Sequence, residues 1–163
     1  MTIGIVSDTH RNTARPGAAL DIFRERGIQT VVHLGDIGGA QVVHLFLGLN
    51  AYFVYGNADR NMEELTREIE TNFGAGRLAE WHDLEFEGVR IALCHGHTRM
   101  LDELIADGTY DIVLHGHTHK RRDETVGSTR VINPGALGGI KWQSRSFATL
   151  ELPSGSLEWI ELQ

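Results

Sequence analysis

The chain has 163 residues, 41% of them apolar and 23% charged, which supplies one packed core and excludes a disordered or collagen-like chain. Its 15 basic and 22 acidic residues leave a net charge of -7 with histidines neutral, so the chain alone exerts no long-range attraction on extended nucleic acid or anionic lipid. Cys94 is the single cysteine, which rules out an internal disulfide and agrees with a reduced, cytoplasmic setting.

In chain order, Ile3, Ile5 and Val6 form a β-prone run that ends at Ser7 and Asp8, and a helix is expected from near Pro16 through AALDIFRER to Gly27. Thr30 to Leu34 reads as a second strand, Ala40 to Leu47 as a helix and Tyr52 to Tyr55 as a third strand. Asn61 can cap the segment MEELTREIE, where Glu63 and Glu64 favour the positive end of the helix. The pattern so far is βαβαβα.

The second half is richer in strands. Trp81 to Phe86 and Val89 to Cys94 read as a hairpin about Gly88, followed by a short helix around Met100 to Ala106 and a strand at Ile112 to Leu114. Thr125 and Val126 face Arg130 to Ile132 across Gly127 and Ser128, and Phe147 to Leu152 pairs with Leu157 to Leu162 across Pro153 to Gly155. Two packed sheets with outer helices are expected, in one domain spanning residues 1–163. The likeness of RIALCHGH to YDIVLHGH points to two similar strand-to-loop units. The N-terminus lacks the basic leader of a signal peptide, and the apolar stretch Val42 to Tyr55 is too short, and too interrupted by His44 and Asn50, to cross a bilayer.

The polar residues gather just after the strands. Asp8-Thr9-His10 follows IGIVS, Gly35-Asp36 follows VVHL, Gly56-Asn57-Ala58-Asp59 follows AYFVY, His95-Gly96-His97 follows IALC, and His115-Gly116-His117-Thr118-His119 follows DIVL. In an open α/β sheet the carboxyl ends of the strands form the crevice where functional loops converge. Asp, His and Asn donors in such a crevice suit borderline divalent metals, and that many can hold two ions.

Each block taken alone has a plainer explanation. Asp-x-His, Gly-Asp and Gly-Asn are common turn and cap signals. His33, His44, His82 and Asp83 lie within apolar or hairpin segments and read as ordinary structural residues. The alternating His115, His117 and His119 are harder to explain that way, and five such clusters at five strand ends harder still. A zinc knot needs more thiolates than Cys94 offers. No His-Glu-x-x-His helix, complete phosphate loop or nucleophile elbow occurs.

The ordered blocks D-x-H, GD, GN-x-D, HGH and GHTH closely resemble those of the calcineurin-like metallophosphoesterases, in particular their small bacterial and archaeal phosphodiesterase branch, which includes scaffold-like vacuolar sorting relatives. Asn133-Pro134-Gly135 resembles the NPGS segment of that branch, with Ala136 replacing the serine. The resemblance implies a two-sheet αββα sandwich of the α/β class. It also implies that Asp8, His10, Asp36 and His119 surround one ion and that Asp36, Asn57, His95 and His117 surround a second, with Asp36 bridging. The implied cofactors are two divalent ions; manganese is the expected metal, and iron, nickel, zinc and magnesium suit the same donors.

The implied reaction is hydrolysis of a small phosphodiester, nucleotide-like substrates included, by in-line attack of a hydroxide shared between the ions. Asp36, Asn57 and His97 are the candidate catalytic residues, Asn57 by touching metal or substrate and His97 by binding phosphate, moving a proton or holding its loop. Larger relatives carry a histidine where this chain has Ala58, so that residue's leaving-group assistance does not transfer, and water, His97 or another loop residue must supply it. Asp59 reads as an orienting or capping residue, and Arg11, Arg60 and Arg99 read as solvent-facing charges. A phosphomonoesterase and a non-catalytic protein-binding scaffold are the alternative functions. Exposed apolar positions leave room for a homo-oligomer, and no membrane partner is expected.

Overall fold

The computed structural model describes residues 1–140 and 142–163. Its first half runs β1 (Thr2–Val6), α1 (Ala14–Glu25), β2 (Thr30–His33), α2 (Ala40–Val43), β3 (Asn50–Val54), α3 (Met62–Phe73) and β4 (Leu78–Ala79). The second half runs β5 (Trp81–Phe86), β6 (Val89–Cys94), α4 (Met100–Asp107), β7 (Ile112–Leu114), β8 (Arg121–Val126), β9 (Thr129–Pro134), β10 (Ser146–Glu151) and β11 (Leu157–Glu161). One sheet has the order β11-β10-β1-β2-β3-β4 and the other β5-β6-β7-β9-β8.

Alternation along the strands decides which side chains face which layer. Ile3 and Ile5 of β1 meet Val32, Leu34 and Val54 of the same sheet and Ile91, Leu93, Ile112, Leu114 and Ile132 of the other. This is the inter-sheet core, and burying each such branched side chain contributes roughly 1.5–3 kcal/mol. The intervening residues Val6, Val31 and Phe53 pack outward with Leu20 and Phe23 of α1 and Leu65 and Ile69 of α3. On the far side, Ala92, Cys94 and Val113 pack with Leu104 of α4. The layers are therefore helix, sheet, sheet, helix, the αββα sandwich expected from the resemblance.

Several local readings differ from the structure; β3, read from Tyr52 to Tyr55, spans Asn50–Val54. The first helix begins at Ala14, so Pro16 sits in the first turn, where a missing N–H costs nothing. The expected helix over Ala40 to Leu47 is one α turn followed by a 3-10 turn at His44–Phe46, which together bury Val42, Val43 and Phe46. Asn61 occupies the cap position of α3 with φ 50°, and its side chain caps no backbone N–H. The capping contact requires an extended backbone that this left-handed residue lacks; its amide donates instead to Glu64 Oε2. The repeated segments are side by side, because β6 and β7 are parallel with Ile91 opposite Ile112 and Leu93 opposite Leu114.

Candidate metal centre

β1, β2 and β3 are mutually parallel in one sheet, and β6, β7 and β9 are mutually parallel in the other. Their carboxyl ends carry the five blocks and the Asn133 segment. Backbone bonds lock the loops together: Asp8 N–H donates to the Gly35 carbonyl at 3.0 Å, His10 N–H to that of Asp36 at 3.0 Å, and Gly116 N–H to that of His95 at 3.0 Å. Gly138 N–H reaches the Asp8 carbonyl at 2.7 Å, so the loop after β9 closes over the one after β1.

Asp8, His10, Asp36 and His119 each offer one donor atom, and these four atoms lie within 4.8 Å of one another. His10 Nε2 is 3.1 Å from His119 Nε2 and 3.8 Å from Asp36 Oδ2. His119 Nε2 is 3.1 Å from Asp8 Oδ1 but out of line for a hydrogen bond, so this fully buried oxygen has no hydrogen-bond partner. A buried carboxylate oxygen facing imidazole nitrogens is an arrangement that a cation satisfies. The other oxygen, Asp8 Oδ2, accepts from Ser7 Oγ at 2.5 Å and from the His117 N–H at 3.1 Å, which fixes the carboxylate plane.

Beside this group lies a second. His95 Nδ1–H donates to the Leu34 carbonyl at 2.7 Å, which turns Nε2 toward Asn57 Oδ1 at 3.1 Å and Asp36 Oδ1 at 3.4 Å. Three electron-rich atoms meeting this way need a proton or a metal ion between them. The His117 ring lies 5.2 Å from that of His95. Asp36 touches both groups, with its Oδ1 also accepting the Ala58 N–H at 2.8 Å.

The electrostatics follow from these contacts. Burial opposes the charge of Asp36, yet His95 and the Ala58 N–H hold its pKa down to about 2. Burial likewise lowers the His95 pKa, but its bond to Asp36 and the nearby Asp8 more than offset this and the net shift is upward. Asp8 raises the pKa of His119 against the effect of burial. His97 is half-buried 5.3 Å from the His95 ring, with Nδ1 lacking a hydrogen-bond partner; burial, then His95 and His117, lower its pKa.

Backbone strain is concentrated here. Asp8, His10, Asp36, His117 and His119 all have positive φ, between 46° and 65°, a region that costs a non-glycine residue of order 1 to 3 kcal/mol and is occupied where surrounding bonds over-determine it. Glycines admit the ligands, and a Cβ on Gly35 would lie 2.5 Å from His95 Nδ1. A Cβ on Gly56 would overlap Asp36 Oδ1 and lie 2.5 Å from the Asp36 nitrogen, and one on Gly116 would overlap Ser7 Oγ and lie 2.7 Å from Asp8 Oδ2.

Other residues hold the loops; the sequence marks Asp59 as orienting or capping, His33 as structural and His115 as part of the fifth polar block, and leaves Thr9 and Asn133 without a role of their own. Asp59 accepts the Gly38 N–H through Oδ1 at 3.0 Å and the Gly56 N–H through Oδ2 at 2.8 Å, tying the second and third blocks. His33 is buried as expected, accepting the Gly35 N–H at 3.2 Å through Nδ1 while its Nε2 lies 3.0 Å from Thr9 Oγ1. Thr9 passes the chain on to the Ile37 carbonyl at 2.8 Å. Asn133 donates to the Gly116 carbonyl at 2.7 Å and to Thr118 Oγ1 at 3.1 Å, holding the GHTH loop. His115 is not among the converging donors; burial lowers its pKa to about 4, and its Nδ1 is 3.0 Å from the Gly116 carbonyl. His44 pairs with Glu68, and His82 bonds the Phe53 carbonyl, away from the centre.

Comparison with known proteins places this geometry. The family model for the calcineurin-like phosphoesterase superfamily domain matches residues 1–155. A phosphodiesterase of Methanocaldococcus jannaschii is 34% identical over 142 residues, which cover 85% of this chain and 86% of the relative. A solved structure described as a novel archaeal phosphodiesterase superimposes with a TM-score of 0.91 at 31% identity, covering 99% of this chain and 100% of the other. Vps29 of Entamoeba histolytica, complexed with zinc, superimposes at 0.72 with 25% identity, covering 99% and 98%. The chain belongs to the calcineurin-like metallophosphoesterase superfamily, in its small archaeal and bacterial phosphodiesterase branch. Together with the His/Asp cluster, this membership makes it a metal-dependent hydrolase. Among the described residues, no helix is long and apolar enough to cross a membrane.

Proposed function

We propose that the chain hydrolyses a small phosphodiester at a centre of two divalent ions, with manganese as the working metal. The observation that carries this reading is the convergence of Asp8, His10, Asp36 and His119 within 4.8 Å around an orphaned carboxylate oxygen, with a second donor group sharing Asp36. The phosphodiesterase names of the relatives support the diester preference. In this reading Asp8, His10, Asp36 and His119 hold one ion, and Asp36, Asn57, His95 and His117 hold the other. Divalent ions bound there supply charge neutralisation for phosphate oxygens and activation of water near neutral pH.

The chain's own residues set the geometry. Leu34 orients His95, Ser7 and the His117 N–H orient Asp8, and Asp59 spaces the Asp36 and Asn57 loops, so the donors are held before substrate arrives. Asn57, exposed like His117 in the second group, faces metal or phosphate, and His97 serves the ester by a hydrogen bond or a proton. Because donors come from both sheets, residues 1–163 act as one unit, and the single cysteine suits a reduced, cytoplasmic setting.

The test restores metal-stripped protein with manganese, iron, nickel, zinc or magnesium and follows paired aromatic phosphodiesters and phosphomonoesters while bound metal is counted. Faster diester turnover with two ions per chain is expected, and Asp36→Asn or His117→Ala should abolish it with the fold retained. Faster monoester turnover makes the chain a phosphomonoesterase, and stable two-metal binding with no turnover of either ester favours a protein-binding scaffold.

A further inference from the structure

A cleft of about 270 Å³ opens beside the candidate centre, lined by Arg11, Gly38, Gln41, Ala58, Arg60 and Glu64 among others. None of the seven donor residues lines it, but two of its lining residues adjoin the centre: Arg11 follows His10 in the first block, and Ala58 is the residue whose N–H binds Asp36 Oδ1. Ala58 contributes only a methyl to this wall, so space that a larger side chain would occupy is open.

The two arginines come from different loops and meet at this cleft. Arg11 is held by its Nε–H, which donates to the Gly38 carbonyl at 3.1 Å and leaves the guanidinium terminus for another partner. Arg60 is exposed and makes no hydrogen bond or ion pair with the described residues. Glu64 is the opposing charge in the lining, and its Oε2 already accepts the Asn61 amide. Two guanidinium groups against one carboxylate, in a chain of net charge -7, mark a local reversal of sign. Guanidinium groups recognise carboxylate and phosphate oxygens through paired N–H donors.

We propose that this cleft takes the part of the substrate that lies beyond the reacting phosphate, and that Arg11 and Arg60 select a substituent carrying a second anionic group, phosphate or carboxylate. The proposal rests on the phosphodiester reading above and narrows its substrate class. It differs from the expectation that both arginines are merely solvent-facing.

The experiment measures binding by calorimetry to the manganese-loaded protein, using ω-phosphonocarboxylates, ω-bisphosphonates and alkylphosphonates of matched chain length. The doubly anionic probes should bind at least about tenfold tighter at one chain length, as expected for a charge-assisted hydrogen bond. Arg60→Ala should cut that preference about tenfold, and Glu64→Gln should raise it. The carboxylate and bisphosphonate arms tell which anion fits better. Equal affinities, no binding by any probe, or a preference unmoved by Arg60→Ala overturn the proposal, the last because it would place the second anion on the metal ions. Failure of the phosphodiester reading appears separately, as absent turnover in the ester assay with the binding preference intact.

Discussion

His33 shows how one side chain supports a centre it does not enter. It is fully buried, stacks on Phe53, and links the Thr9 and Gly35 backbone regions through its two ring nitrogens. Burial lowers its pKa to about 3, so the neutral ring persists in the folded state. The unfolded chain, with an ordinary histidine near 6.5, takes up a proton first as pH falls. Stability is therefore full above about pH 6.5 and is lost progressively toward pH 3, at no more than about 1.4 kcal/mol per pH unit from this one group. Urea unfolding of metal-free protein across that range should show a shallower acid slope for His33→Phe than for wild type. The variant should also be weaker at neutral pH, because the Gly35 N–H loses its acceptor. Identical slopes would mean that His33 is protonated or solvated in the fold.

At the scale of elements, strand ends and the close approach of loops decide the site. Gly56→Ala would push a Cβ into Asp36 and should cost about 1–3 kcal/mol, as overpacking does, while also displacing a carboxylate shared by both donor groups. Gly17 in α1 has nothing within 4 Å of such a Cβ, so Gly17→Ala should stabilise by about 0.5–1 kcal/mol. Melting curves together with metal stoichiometry separate these effects: the first variant should lose metal as well as stability, and the second should keep its metal. Unchanged metal affinity in Gly56→Ala would mean that the loop shifts without moving Asp36.

The same scale explains what the sequence makes legible. β7 is read with its observed bounds because Ile112 to Leu114 is an apolar run framed by polar residues. β8 is read only at Thr125 and Val126: RRDETV is an edge strand exposed along nearly its whole length, so no alternation betrays it, and its charges are what an unpaired edge needs. β4 is two residues long and exists only through pairing with β3. Site blocks are visible because polar residues directly after buried strands stand out. The parts that hold them are less so: Asp59 reads as an orienting or capping residue, but the Leu34 carbonyl leaves no trace in side-chain identity, His33 looks like any histidine in an apolar segment, and His115 reads with the ligand histidines of its block although its Nδ1 lies at the Gly116 carbonyl.

At the scale of the whole molecule, the donors divide between the layers. Asp8, His10, Asp36 and Asn57 follow strands of one sheet, while His95, His117 and His119 follow strands of the other. A cation held by both sets binds the folded chain and finds no comparable site in the unfolded one, so it stabilises by mass action. At a hundredfold excess over its dissociation constant that amounts to about 2.7 kcal/mol, or a rise of about 5–10 °C in melting temperature for a chain of this size. It also relieves the burial of Asp8 and Asp36, which are 0% and 4% exposed. Trp81 on β5 and Trp159 on β11 report on opposite sheets. In variants that each keep one of these two tryptophans alone, manganese should raise both fluorescence midpoints equally, and Asp36→Asn should reduce both shifts together. A shift at one tryptophan only would mean that the ions are held by a single layer and that the two sheets do not share the site.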